Sequence, residues 1–319
     1  MKMLVVRMSE EDLAKVAAAA PALEVIAATD NAEVPAKMAD AEIYLPGPRE
    51  PEYFAQAEKL RWVHMTWAGV DHSPFLKALR AEVVVTNSAG VFAIPIAEHA
   101  MALILAFSRG THFCSRRTRE EVWGGKEYWR RLEPHLLELG GATLGIVGYG
   151  GIGRETARRA KAFGMRVIGQ RRHPQPDEFA DAVWGPERLD ELLSVSDYLL
   201  ISAPLTERTR GLIGARELAL MKPNAVIMNV ARGAIIDQPA LVQALQEKRL
   251  RGAGLDVTTP EPLPFDSPLW EMENVLITPH VSGSSPRTWG RQFDFFLENL
   301  RRYVAGAPLL NVVDREAGY

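Results

Sequence analysis

The chain has 319 residues, 47% hydrophobic and 24% charged, and a net charge of −3 from 37 basic and 40 acidic side chains. That length suits two domains rather than one core, and no block of like charge offers a nucleic-acid tail or a membrane-binding patch. The single cysteine, Cys114, excludes an intrachain disulfide and fits a reducing cytosol.

At the N-terminus, MKMLVVRMSEED holds an apolar run too short for a signal peptide, which fits a first strand. EIYLP, RWVHMT and EVVVTN read as further strands, separated by stretches rich in Ala, Leu, Glu and Lys. Such alternation predicts parallel sheets with crossover helices. A long helix follows over Ile94 to Arg109, with Pro95 in its first turn and no other proline or glycine. Within it, Ala100 to Phe107 is the longest apolar stretch and is too short to span a bilayer. His99 on this helix reads as a packed residue. Residues Thr111 to Gly141, with Trp123, Tyr128 and Trp129, look like an arm or an interface. From Thr143 a second set begins: TLGIVG, MRVIGQ, YLLISA, AVIMNV and GAGLDV. These near-continuous apolar runs suit strands buried on both faces. A last helix is predicted over about Pro286 to Val304. The expected fold class is α/β, with two open parallel-sheet units.

GYGGIG, Gly148–Gly153, follows TLGIVG and opens the helical stretch RETARRAKAFG. A first glycine permits the tight turn, Gly150 lets backbone approach a pyrophosphate, and Gly153 lets the helix pack close to the strand. The helix N-terminus would offer N–H groups and partial positive charge to phosphates. The next strand, MRVIGQ, ends at Gln170, where an NAD-binding unit usually has Asp or Glu for the ribose 2′-hydroxyl. Arg171 and Arg172 follow, and two guanidinium groups can bind a 2′-phosphate. The alternative is a pair of solvated surface arginines. NADP is the expected cofactor, with NAD as the second choice.

Arg232 in NVARG, Glu261 in DVTTPEP and His280 in TPHVSG each lie just beyond a predicted strand. Open α/β sheets bind ligands at that end of their strands. An arginine fork can bind a carboxylate and polarise the neighbouring carbonyl. A histidine can deliver a proton as hydride arrives, and a carboxylate can hold that histidine in orientation. Singly, each has a bland alternative: a capping arginine, a core histidine, a loop charge. Their conjunction on one sheet edge beside a dinucleotide motif favours carbonyl reduction.

In order and spacing, GYGGIG, NVARGAIID, GLDVTTPEPLP and TPHVSG resemble the signatures of the D-isomer-specific 2-hydroxyacid dehydrogenases, nearer the NADP-preferring 2-oxo acid / glyoxylate-hydroxypyruvate reductase branch, which implies hydride transfer between NADP(H) and a 2-oxo acid or D-2-hydroxy acid. The likeness implies Arg232 as substrate anchor, His280 as acid/base, Glu261 as its partner, and Asp256 near the nicotinamide carboxamide. It implies cofactor contacts from Gly148, Tyr149, Gly150, Gly151, Ile152, Gly153, Gln170, Arg171, Arg172, Ala203, Pro204, Val230, Asp256 and Gly283. The segment WAGVD is similar to the family loop whose N–H groups hold the substrate carboxylate, here Ala68, Gly69 and Val70. A glycine turn ending a strand is the plainer reading of that segment. The likeness further implies a Rossmann domain over 96–283, inserted into a discontinuous flavodoxin-like substrate domain over 1–95 and 284–319. The helices near Ile94–Arg109 and Pro286–Val304 would be the two crossings between the domains, closure about them would seal the cleft, and the molecule would be a cytoplasmic homodimer joined through the nucleotide domain.

His64, His72, His99, His112, His135 and His173 show no paired-ligand spacing for a metal. No GxSxG elbow or P-loop supports a hydrolase or kinase. Leu45, Met65, Trp67, Phe92 and Trp289 could line an apolar pocket, in which case apolar 2-oxo acids would be reduced at least as well as glyoxylate. The competing readings are a narrow glyoxylate/hydroxypyruvate reductase and a dinucleotide-sensing, corepressor-like scaffold on the same fold.

Overall fold

The computed structural model describes residues 1–45, 50–54, 57–71, 73–115, 117–118, 123 and 125–316. The chain forms two compact units, Met1–Phe92 with Ser285–Tyr319, and Ala93–Ser284.

The first unit holds five parallel strands: β1 (Lys2–Val6), β2 (Glu24–Ala28), β3 (Ile43–Tyr44), β4 (Trp62–Met65) and β5 (Val84–Asn87). Their order is β2-β1-β3-β4-β5, the flavodoxin-like arrangement. Side chains alternate between two faces, as strand geometry requires. Leu4, Val63 and Met65 pack on one side. Met3, Val5 and Trp62 pack on the other, against Phe293, Phe296 and Leu300 of the helix Thr288–Val304. The strand predicted over EIYLP is reduced to Ile43–Tyr44, and its Pro46 lies outside the described residues. Ser9 caps the helix Glu10–Ala19, its hydroxyl accepting from the Asp12 N–H at 3.1 Å.

The second unit holds seven parallel strands: β6 (Thr143–Val147), β7 (Arg166–Gln170), β8 (Ala182–Trp184), β9 (Tyr198–Ile201), β10 (Val226–Asn229), β11 (Gly252–Leu255) and β12 (Val275–Ile277). In the order β12-β11-β10-β9-β6-β7-β8, the first strand, β6, lies between β7 and β9. The order reverses there, which makes the C-terminal end of β6 the switch point where such sheets bind ligands. Leu199, Ile201 and Ile227 face one core. Leu200, Val226 and Met228 face a second, shared with Ala100, Leu103, Ile104 and Phe107 of the helix Ala93–Ser108.

Two glycines set how closely that helix approaches β11. A Cβ on Gly252 would sit 2.5 Å from Phe107 Cε1, and one on Gly254 would sit 3.1 Å from Leu103 Cδ1. Larger residues here would push the helix off the sheet. Among the described residues no helix is long and apolar enough to cross a membrane.

Candidate active site

The glycine-rich turn sits at the switch point. Gly148 has φ of +93°, and a Cβ there would lie 2.3 Å from Ala203 N, so only glycine fits between β6 and the chain leaving β9. The Gly148 and Tyr149 N–H groups donate to the Gln170 carbonyl at 3.0 and 2.7 Å, tying the turn to the end of β7. Gly150 precedes the helix Gly151–Ala162, and a Cβ on it would meet no atom within 4 Å. The first-turn N–H groups, at Gly151, Ile152 and Gly153, have no acceptor one turn earlier in the helix. Open space over Gly150 before a helix N-terminus suits a dinucleotide pyrophosphate.

The chain after β7 is fastened to this turn. Asp177 accepts from the Tyr149 hydroxyl at 2.9 Å and from Arg154 Nε at 2.8 Å, while Arg154 also reaches Glu178 at 2.6 Å. Burial resists charge on Asp177, but the Phe179 N–H, Arg154 and Tyr149 outweigh it and hold the carboxyl below the usual range. Burial, reinforced by Asp177, pushes the Tyr149 phenol up. The acidic groups of this loop are thereby paired on its helix side. Gln170 is buried, its amide nitrogen 3.4 Å from the Pro186 carbonyl. Arg171 and Arg172 are exposed. No carboxylate stands at residues 170–172. Ala203 and Val230 are buried at the ends of β9 and β10, and Pro204 is exposed.

Arg232 follows β10 in a turn built by Asn229. The Asn229 amide donates to the Arg232 carbonyl at 2.8 Å and accepts from the Ala231 N–H at 3.0 Å. A Cβ on the next residue, Gly233, would lie 2.0 Å from the Thr258 carbonyl oxygen. The arginine turn is thus wedged against the loop that leads from β11 to Glu261. Thr259 N–H donates to Gln238 Oε1 at 2.9 Å, joining the two loops again.

His280 Nδ1 lies 3.1 and 3.2 Å from the two Glu261 carboxylate oxygens. Its side chain is 47% exposed, which excludes a buried core histidine. His280 also has φ of +53°, a left-handed conformation uncommon outside glycine. The turn that imposes it is built on Asp256. His280 N–H donates to the Asp256 carbonyl at 2.8 Å. The Asp256 carboxylate accepts from Thr278 Oγ1 at 2.6 Å and from the Val281 and Ser282 N–H groups, both at 3.0 Å. Burial alone would raise the Asp256 carboxyl, but Ser282, Thr278 and Val281 overcome it and hold it low. Gly283 ends this turn, partly exposed.

Ala68, Gly69 and Val70 belong to the first unit. Asn87 Nδ2 donates to the Ala68 carbonyl at 2.7 Å, and Ser73 N–H to the Val70 carbonyl at 3.1 Å. Among the described residues none accepts from the Ala68, Gly69 or Val70 N–H.

Of Leu45, Met65, Trp67, Phe92 and Trp289, expected to line an apolar pocket, the first three do not share one face of the sheet. Leu45 is core on one face of the five-stranded sheet, while Met65 is core and Trp67 packs on the other. Trp289 stacks on Phe293, and its indole N–H donates to Asp12 at 3.1 Å. Strand alternation separates these residues, which sequence position alone does not reveal. Among the described residues no group of three or more His, Cys, Asp or Glu could hold a metal ion; His72 lies outside them. The residues sequence reasoning missed are His99, which reaches Thr278 Oγ1 at 3.0 Å, and the Arg154–Asp177 pair.

Residues 101–282 match the family model described as D-isomer specific 2-hydroxyacid dehydrogenase, NAD binding domain. The chain is 38% identical over 272 residues to a glyoxylate reductase of Korarchaeum cryptofilum, covering 85% of this chain and 81% of that protein. Among solved structures it resembles an NADPH-dependent glyoxylate/hydroxypyruvate reductase from Sinorhizobium meliloti in complex with NADP and sulfate. There the TM-score is 0.82 and the identity 30%, over 100% of this chain and 99% of that one. A D-isomer specific 2-hydroxyacid dehydrogenase from Xanthobacter autotrophicus in complex with NADPH and MES gives 0.79 and 30%, over 100% and 99%.

Proposed function

For a chain that belongs to the D-isomer-specific 2-hydroxyacid dehydrogenase family, we propose reduction of a small 2-oxo acid, glyoxylate or hydroxypyruvate foremost, with NADPH as reductant. The chain is an NAD(P)-dependent oxidoreductase of that family. The observation that carries the proposal is the His280–Glu261 pair at the C-terminal edge of the seven-stranded sheet.

Glu261 faces Nδ1 of His280, so Nε2 is the nitrogen left to meet substrate. Nε2–H gives its proton to the carbonyl oxygen as the carbonyl carbon is reduced. Glu261 holds the ring and stabilises it through the transfer. Arg232 offers a planar fork to the substrate carboxylate and draws charge from the adjacent carbonyl. Within the first unit, the Ala68, Gly69 and Val70 N–H groups are further donors proposed for a substrate carboxylate. The bound nicotinamide supplies the hydride. Gly148–Gly153 would hold its pyrophosphate, Ala203, Pro204, Val230 and Gly283 its flanks, Asp256 its carboxamide, and Gln170, Arg171 and Arg172 its 2′-phosphate.

Two observations favour small substrates over long apolar ones. Of the residues expected to line an apolar pocket, Leu45 lies in one core and Met65 and Trp67 in another. The relatives above are named for glyoxylate and hydroxypyruvate. NADPH oxidation with glyoxylate, hydroxypyruvate, pyruvate and longer 2-oxo acids tests this. Efficiency should fall as the chain lengthens; a steady rise, near the 0.8 kcal/mol expected per buried methylene, would instead require an apolar pocket. The same reading extends to a cytosolic homodimer joined through residues 111–141, where Trp129 is 55% exposed.

A further inference from the structure

We propose that His99 is a positioning residue for this reaction: through Thr278 it steadies the Asp256 carboxylate that builds the turn carrying His280. The inference rests on the reading of His280 as proton donor.

The placement begins with two matched periods. His99, Leu103 and Phe107 recur every four residues along one face of the helix Ala93–Ser108, advancing about 6 Å per step. Gly252, Gly254 and Asp256 recur every two residues from β11 onward, advancing about 6.6 Å per step. Phe107 rides over Gly252 and Leu103 over Gly254. The next step in the same register sets His99 beside Asp256, with Nε2 3.8 Å from Oδ1. The two glycines that bring the helix onto the strand therefore also deliver the histidine to the strand end.

Hydrogen-bond counting fixes the direction of the chain. Thr278 has one hydroxyl hydrogen. Its 2.6 Å contact is to Asp256, a carboxylate kept ionised and able only to accept. Thr278 donates there, so the 3.0 Å contact from His99 must be an Nε2–H donation to the Thr278 oxygen. The relay runs His99 to Thr278 to Asp256. Asp256 then accepts from the Val281 and Ser282 N–H groups, which directly follow His280 and pin the chain leaving its left-handed turn. A left-handed non-glycine residue costs roughly 1–3 kcal/mol and persists only where its surroundings over-determine it. Without the His99 donor, Thr278 is free to rotate and one support of Asp256 is lost. Proton transfer depends steeply on the placement of the imidazole.

The test compares His99→Leu, His99→Gln, Thr278→Val and the His99→Leu/Thr278→Val double variant in keto-acid reduction with saturating NADPH, with His280→Ala as reference. His99→Leu should lower kcat about tenfold and leave KM for the keto acid within about twofold. His99→Gln, which keeps a side-chain N–H donor, should recover most of the loss. The double variant should be no slower than the worse single variant. In the enzyme alone, hydrogen exchange at Val281 and Ser282 should quicken about tenfold in His99→Leu. Unchanged kcat in His99→Leu with a crippled His280→Ala overturns the positioning role alone. A loss that tracks a lowered Tm and is not recovered by glutamine also overturns it, since that marks simple packing. Full turnover in His280→Ala removes the proton-donor reading and this inference with it.

Discussion

Cofactor choice can be worked from the loop after β7. NADP differs from NAD by a 2′-phosphate with close to two negative charges. At Gln170–Arg172 the chain offers an amide and two exposed guanidinium groups, and no carboxylate. The nearest acids of the loop, Asp177 and Glu178, are held by Arg154, at 2.8 and 2.6 Å. Arg154 offsets one of these two negative charges, and with Arg171 and Arg172 counted the group carries a net positive charge, which favours a phosphate. A hydrogen bond to a charged group contributes about 1.5–3 kcal/mol when well formed. Solvent exposure of both arginines cuts this toward the 0.2–1 kcal/mol typical of surface pairs. Two such contacts still sum to roughly 1.4 kcal/mol, a tenfold preference. kcat/KM for NADPH should exceed that for NADH by at least about tenfold at low salt. The ratio should shrink as ionic strength rises, because exposed contacts are screened. Gln170→Asp with Arg171→Ala should reverse the preference, the new carboxylate repelling the phosphate and accepting from a free ribose hydroxyl. Equal efficiency with the two cofactors in the unmodified enzyme at low salt would refute this reasoning.

His280→Ala should lower kcat for keto-acid reduction by roughly 10² to 10⁴ while cofactor affinity, read by fluorescence titration, changes little; near wild-type turnover at neutral pH would exclude it as proton donor. Arg232→Lys keeps the charge but loses the fork, and kcat/KM should fall by roughly 10- to 100-fold; an unchanged value would remove Arg232 from the site. His64 is fully buried among Trp62, Phe295 and Phe296, and burial lowers its pKa to about 3. Because the unfolded chain takes up a proton near pH 6.5 that the folded one refuses, stability is present above that pH and is lost on acidification toward pH 3. The slope approaches 1.4 kcal/mol per pH unit. Urea midpoints between pH 6.5 and 5 should show that slope, and His64→Gln should flatten it; an identical slope in the variant would place the acid sensitivity elsewhere.

The two parallel sheets were legible because their strands are buried runs of one composition, separated by helices. Period and composition suffice for that. β8 escaped notice because three residues, Ala182–Trp184, give no pattern, and it exists only by pairing with β7. The helix predicted from Pro286 begins at Thr288, where Ser285 and Thr288 share a hydrogen bond of 2.9 Å. The expected apolar grouping failed for a different reason. Leu45, Met65 and Trp67 lie close in sequence to strand ends, but strand alternation sends them to opposite faces of the sheet. Proximity to a strand end says where a residue lies along the sheet, not on which side.

His280 and Glu261 stood out because each is a polar residue placed just after an apolar run, and the motif around each is local. His99 could not stand out in that way. It lies inside the apolar helix Ala93–Ser108, where the sequence offers only a helical period, and a packed histidine is the natural reading. Its meaning comes from a second period on another element, the alternation Gly252, Gly254, Asp256. Glycines in a strand weaken it, so two of them on one face require a reason, and that reason is the approach of Leu103 and Phe107. Once that register is set, the residue one step further on the helix must meet the residue one step further on the strand. The pairing of His99 with Asp256 is thus a consequence of how the core packs. The same close packing that buries the helix aims a hydrogen-bond donor at the support of the turn that carries His280.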